Sequence, residues 1–280
     1  MTHPPAPALN GAGAAFNIQK SAKRTDWSKD MKLYSEIKET WTAEMFDRDG
    51  VPWTRYTRGD AVVEVADSAI ICEGVKIGDR VTIGSGAVIG RRATLGEGVT
   101  LGKGVRIEDR VTVGEDVRIG ELSVIHHYTT ISEGVTIGDR AKIKGIVTIG
   151  SGVVMGRRAT LGNGVTLGEG VRIGDRVTVG EDTRVGVLSV IGDGTEIGDG
   201  VTIGDITEIS YRVTIGDNVV MGHHAEIYYG AIIGEGVRMG DHVTIDDRAK
   251  IGCRAVIGKG AKIGEGVTIG NGQTIDRDCL

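Results

Sequence analysis

The stretch "GDRVTIGSGAVIGRRATLGEGVTLG", residues 78–102, decides the fold. A large aliphatic residue returns at every sixth position: Ile83, Ile89, Leu95, Leu101. Two residues before each stands a small one (Val81, Ala87, Ala93, Val99), and one after each stands glycine (Gly84, Gly90, Gly96, Gly102). Followed outward, the beat runs from Val65 to Ile275 without a break, 36 positions occupied by Val, Ile, Leu or Met. In a unit such as V-T-I the outer two residues face one way and the middle one the other, the period of a strand. A strand this short cannot bury its apolar face alone, so the units must stack as a solenoid around a shared core. The third residue after each aliphatic one must tolerate positive φ. It is commonly Gly (Gly86, Gly98, Gly134), Asn218, Asp116 or Arg. Leu122, Ile146, Leu188 and Ile206 break that rule and are predicted to be strained or turned toward a partner.

Composition narrows the possibilities. There are 46 glycines, aromatics make up only 4 %, and the net charge is −5 with a pI near 5.7. The acidic balance excludes a basic nucleic-acid footprint. No apolar run approaches the roughly 20 residues of a membrane helix. The N-terminus lacks the charged start and apolar core of a signal peptide. A cytoplasmic or assembly-associated protein is therefore expected. Cys72, Cys253 and Cys279 are scattered, without metal-ligand spacing, and read as free thiols. No cofactor motif is present.

The pattern over residues 63–280 closely resembles the hexapeptide-repeat family. The resemblance implies an all-β left-handed parallel β-helix of about 12 triangular coils, each made of three hexads, so that residues three hexads apart are axial neighbours. Upstream, residues 1–24 read as a disordered arm and 25–48 as one amphipathic α-helix, with 49–62 a linker into the first coil. Trp27, Met31, Tyr34, Ile37, Trp41 and Met45 recur at spacings of three and four, with Phe46 beside them. This face is expected to cap the solenoid, to dock on a partner protein, or both. Tyr211, Tyr228 and Tyr229 are further candidates for partner contact.

The resemblance also implies chemistry. Enzymes of the family are mostly acyltransferases with coenzyme A or acyl-carrier-protein donors. They are trimers whose histidine base lies between subunits, and they usually carry an extruded loop. This chain's register is unbroken, so no such loop is inserted. The primary expectation is therefore a non-enzymatic structural or adaptor rod, homo-oligomeric and most simply trimeric, docked by its N-terminal segment into a larger assembly such as a virion.

The alternative is an acyltransferase with His223 or His224 as general base. A second alternative is a degenerate γ-class carbonic anhydrase-like protein. The stretch "GHHAEIYYG", residues 222–230, matches that pattern at Gly222, His223 and Ala225 but has Tyr228 where a second histidine ligand belongs, so no metal site is expected. Column arithmetic sets His224 under His242 and His223 between Asp205 and Asp241. His223, His224, Asp241 and His242 thus form the candidate cluster. His126, His127 and Tyr128, with Glu108, Asp109 and Arg110 one coil below, read as ordinary surface pairing. Finally, residues 90–125 recur at 156–191 with six differences in 36 positions. The offset is eleven hexads, which is not a multiple of three, so the copy lands one corner round, and both segments read as spacer.

Overall fold

The computed structural model describes residues 32–276. It opens with β1 (Lys32–Leu33), α1 (Tyr34–Thr40), β2 (Thr42–Arg48), β3 (Val51–Arg58) and β4 (Ala61–Ala66). There follow 35 strands of two or three residues, from Ile70–Ile71 to Thr274–Ile275. Together with β1–β4 they form three sheets of 13, 14 and 12 strands, the solenoid partners lying three hexads apart, as in Thr94↔Thr112 and Thr112↔Thr130. This is an all-β solenoid of about 12 turns, consistent with the expected left-handed parallel β-helix. Each coil donates its backbone N–H groups to the next, Thr94 to Val111 and Gly96 to Val113 at 2.9 and 2.8 Å. The inward aliphatic column, Ile83 through Ile263, forms one continuous core.

Two glycine columns have different causes. Every sixth residue from Gly74 to Gly272 lies at φ between 52° and 74°. The glycine just after each strand has ordinary φ but no room: a Cβ on Gly156 would sit 2.4 Å from the Gly174 carbonyl carbon. Along the turns an Asp at the position after that glycine reaches back one coil. Asp139 accepts the Glu121 N–H at 2.8 Å, Asp175 that of Arg157 at 2.7 Å, and Asp205 that of Val187 at 2.8 Å. Buried hydroxyls tie to the following coil instead, as Ser189 donating to the Gly204 carbonyl at 3.0 Å and accepting the Thr207 N–H at 3.1 Å. The inward small position can therefore carry a hydroxyl without an orphaned polar group.

The N-terminal segment departs from expectation. The helix is only Tyr34–Thr40; residues 42–48, expected to continue it, form a strand, and the expected linker is a hairpin. β2, β3 and β4 pair antiparallel as a meander that extends one solenoid sheet beyond its first coil. The cause is Asp49–Gly50, at φ 55° and 75°. Two consecutive residues at positive φ make the turn whose twist matches a two-stranded hairpin. Ile37 (0 % exposed), Trp41 (9 %) and Tyr56 join the main core and plug its open end. Ile37 and Trp41 are thus used within the chain rather than presented to a partner, which corrects their assignment as partner contacts. Trp27, Met31 and residues 1–24 lie outside the described residues. Tyr34 opens the helix. Met45 is exposed, and Phe46 stacks on Trp53 with ring centroids 6.3 Å apart.

Candidate active site

Each coil has three corners. The first is made by turns such as 108–110 and 126–128, the second by 222–224 and 240–242, and the third by 138–140 and 156–158. The expected histidine cluster lies on the second corner. The His224 and His242 rings stack, 4.9 Å apart and 5° from parallel, at φ 55° and 58°. His223 takes the place of a turn Asp: its Nδ1 accepts the Asp205 N–H at 2.9 Å, while its own N–H donates to Asp241 Oδ1 at 3.0 Å. That bond holds the Asp241 carboxyl below 3.8, with Lys259 adding to the effect. An imidazole whose Nδ1 accepts carries its proton on Nε2. The Asp205 carboxylate lies farther from the same nitrogen, at 3.4 Å, so the shorter N–H contact favours the His223 tautomer that donates from its outer nitrogen, which is less suited to general-base work. Among the described residues no three His, Cys, Asp or Glu side chains converge as a metal-binding group.

The tyrosines share the third corner. Tyr211 and Tyr229 stack with centroids 4.8 Å apart, and Arg248 lies 5.6 Å from the Tyr229 ring. Tyr228 donates to Glu226 at 3.1 Å. That bond, with the charges of Glu208 and Asp246, pushes its phenol above 10.

The first corner holds the more capable arrangement. The position after each strand, glycine almost everywhere for lack of room, is Cys72, Gly90, Glu108, His126 and Lys144 in the first five coils of this corner. Glu108 bridges two imidazoles, with Oε1 at 3.0 Å from His126 Nδ1 and Oε2 at 3.1 Å from His127 Nδ1. The His127 backbone N–H also donates to Oε2, at 3.2 Å. Burial alone would raise the Glu108 carboxyl; the His127 and His126 interactions outweigh it and hold the group below 4.5. A carboxylate accepting from Nδ1 fixes the proton there and leaves a lone pair on Nε2, the tautomer of a general base.

The Nε2 edge of His127 lies over Gly145, where a Cβ would come to 3.3 Å. Asn163 Oδ1 holds the Gly145 N–H at 3.1 Å, and Glu181 ties Asn163 to Lys144 at 2.9 and 3.1 Å. Beside the histidines, Tyr128 accepts from Arg110 at 3.0 Å. A groove of about 560 Å³ runs past Cys72, Val88, Arg106, Glu108, His127 and Tyr128.

Sequence reasoning passed over this site, although the three-hexad column already aligned Glu108 with His126. The usable signal was the duplication: Gly174 stands where Glu108 does, so the carboxylate is not a by-product of the repeat.

Comparison with known proteins places the chain. The family described as "Hexapeptide repeat of succinyl-transferase" matches residues 66–91, 74–108, 110–145, 146–175, 176–204, 212–240 and 242–277. "Bacterial transferase hexapeptide (six repeats)" matches 92–127, the span that contains Glu108, His126 and His127. The chain belongs to the hexapeptide-repeat family. No curated protein matches it in sequence. Similar solved structures include a mutant GDP-perosamine N-acetyl transferase from Caulobacter crescentus, 24 % identical over 50 % of this chain and 51 % of that one, TM-score 0.23. The UDP-N-acetylglucosamine acyltransferase of Francisella novicida is 17 % identical over 73 % and 62 %, TM-score 0.23. That of Arabidopsis is 18 % identical over 76 % and 72 %, TM-score 0.26. The chain spans about half to two thirds of the length of the first two. The expectation of a non-enzymatic rod docked in a larger assembly is corrected here, because the matching family is one of transferases. Among the described residues no helix is long and apolar enough to cross a membrane.

Proposed function

We propose that the protein transfers an acyl group from a thioester donor to a hydroxyl or amine, with His127 as general base. The family description supports the acyl class. The observation that carries the reading is the Glu108 carboxylate at 3.1 Å from His127 Nδ1, which leaves Nε2 free to accept a proton. The acceptor's O–H or N–H gives its proton to Nε2 while its O or N attacks the thioester carbonyl carbon. The C–S bond then breaks, and the imidazolium returns the proton to the departing sulfur. Glu108 stabilises the imidazolium in between, as a carboxylate does for a histidine base elsewhere. The groove is open on its outer side, and a neighbouring copy in the homo-oligomer that the family resemblance implies would wall it.

The test is thiol release from acetyl- and succinyl-coenzyme A against a panel of amino and hydroxyl acceptors, amino sugars first. His127→Gln should lower kcat by about 10²–10⁴-fold, the usual worth of a general base. Glu108→Gln should lower it less, and His223→Ala should leave it unchanged. Turnover untouched by His127→Gln, or abolished by His223→Ala, would overturn the assignment.

A further inference from the structure

The duplicated segment repeats a cradle as well as a spacer. On the first corner a cavity of about 340 Å³ is lined by Glu73, Gly74, Arg91, Arg92, Asp109 and Arg110. On the third corner, eleven hexads on, a cavity of about 410 Å³ is lined by Asp139, Arg140, Arg157, Arg158, Asp175 and Arg176, with Glu121 and Leu122 beside them. The two are the same feature set on different corners. In each, the Asp pins the turn one coil below: Asp109 accepts from Arg91 N and Asp175 from Arg157 N, both at 2.7 Å.

They differ in what the arginines are doing. On the first corner Arg110 donates to Tyr128 and lies over its ring, and Gly74 contributes no charge. On the third corner Arg140 replaces the glycine. Asp139 and Asp175 each give one oxygen to a backbone N–H, and the second oxygen of Asp175 faces Arg157 Nε at 3.7 Å. Among the described residues Arg140, Arg158 and Arg176 have no ion pair. They stand on consecutive coils, about 4.8 Å apart along the axis. Three unpaired cations so placed repel one another on a chain whose net charge is −5. An anion relieves that repulsion, and guanidinium forks favour phosphate bidentately. A single phosphate satisfies one fork; forks on adjacent coils call for adjacent phosphates.

We infer that the third-corner cradle of Arg140, Arg158 and Arg176 binds an anion bearing two or more adjacent phosphate groups, and that the first-corner cradle is its weaker twin. This inference is independent of the acyl-transfer reading. The test is calorimetric titration of the full chain with inorganic tripolyphosphate at low salt, with orthophosphate and ADP as further arms. Tripolyphosphate should bind in one tighter and one weaker class, orthophosphate at least tenfold more weakly, and raising the salt should weaken both.

Arg158→Gly/Arg176→Gly suits the positive φ at both turns, so the coil is kept while the forks are lost. It should weaken the tight class at least tenfold with an unchanged circular dichroism spectrum. Arg92→Gly/Arg110→Gly should spare it. ADP binding as tightly as tripolyphosphate makes a nucleotide-borne diphosphate the source; weaker binding makes it a free oligophosphate. Either supports the inference. A tight class that survives the Arg158/Arg176 double variant, or tripolyphosphate no tighter than orthophosphate, overturns it.

Discussion

Ile206 stands at φ 55° and is half exposed, directly above Leu188 at φ 56° and directly below His224. A β-branched residue in the left-handed region costs roughly 1–2 kcal/mol, and exposure gives little back. Leu122 and Leu188 at least lay their side chains over a glycine one coil below, Gly104 and Gly170; Ile206 has Leu188 beneath it instead. Ile206→Asn should therefore raise stability by about 1 kcal/mol, since Asn tolerates this conformation. A thermal melt checks it, and a lowered midpoint would sink the strain argument. The four offending residues were legible in the sequence as anomalies, because the turn position recurs at every sixth place. The worth of the histidines was not. His223 and His127 both sit in turns beside a carboxylate. Only the atom-level pairing separates the two: at His223 Nδ1 the Asp205 N–H at 2.9 Å is closer than the Asp205 carboxylate at 3.4 Å, whereas His127 Nδ1 meets the Glu108 carboxylate at 3.1 Å.

At the scale of elements, the cap and the solenoid can be watched separately. All three tryptophans, Trp27, Trp41 and Trp53, precede the first coil. Trp41 and Trp53 lie in the cap, so with Trp27→Phe as the background tryptophan fluorescence reads the cap, while circular dichroism reads mainly the stacked strands. The meander is clamped by Glu64, which accepts from Arg48 at 2.7 Å and Arg55 at 2.9 Å; Arg48 lies 4.6 Å from the Trp53 ring. Burial alone would raise the Glu64 carboxyl, but the two arginines outweigh it and hold the group below 4.5. A carboxyl depressed in the folded state stabilises fully above its unfolded value and loses that contribution as pH falls through the folded value. Acidification below about pH 4.5 should therefore shift the tryptophan signal before the strand signal. Glu64→Gln should remove that early phase; an unchanged phase would place the acid sensitivity elsewhere. The solenoid strands were readable from period alone, whereas the cap was misread. Aromatic residues at spacings of three and four suit a helix, and the competing signal was the single dipeptide Asp49–Gly50. Turn chemistry outweighed periodicity there.

For the whole molecule, the solenoid makes position along the chain equivalent to an angle and a height. The hexad is the unit of folding, but the coil of three hexads is the unit of alignment. Stability and function should thus respond differently to inserted hexads. "VTVGED" occurs identically at 111–116 and 177–182. A second copy inserted after Asp116 keeps the inward aliphatic beat, so each new strand still finds a partner and a turn it can adopt. It leaves Glu108 in place but carries His126 and His127 one corner round, so the carboxylate no longer meets either imidazole. The same hexad inserted after Asp182 lies above the whole assembly of Glu108, His126, His127 and Gly145. Both variants should fold with near-native circular dichroism and similar melting. The first should lose acyl transfer at least to the level of the Glu108→Gln variant, and the second should retain it. The stacking logic requires that two equally folded proteins of identical composition differ in activity through the angle between two turns. Equal activity in the two would place the base away from the first corner. Failure of either to fold would show that the side-chain ladders, such as Asp139 onto Glu121 and Asp199 onto Glu181, make the coil rather than the hexad the folding unit.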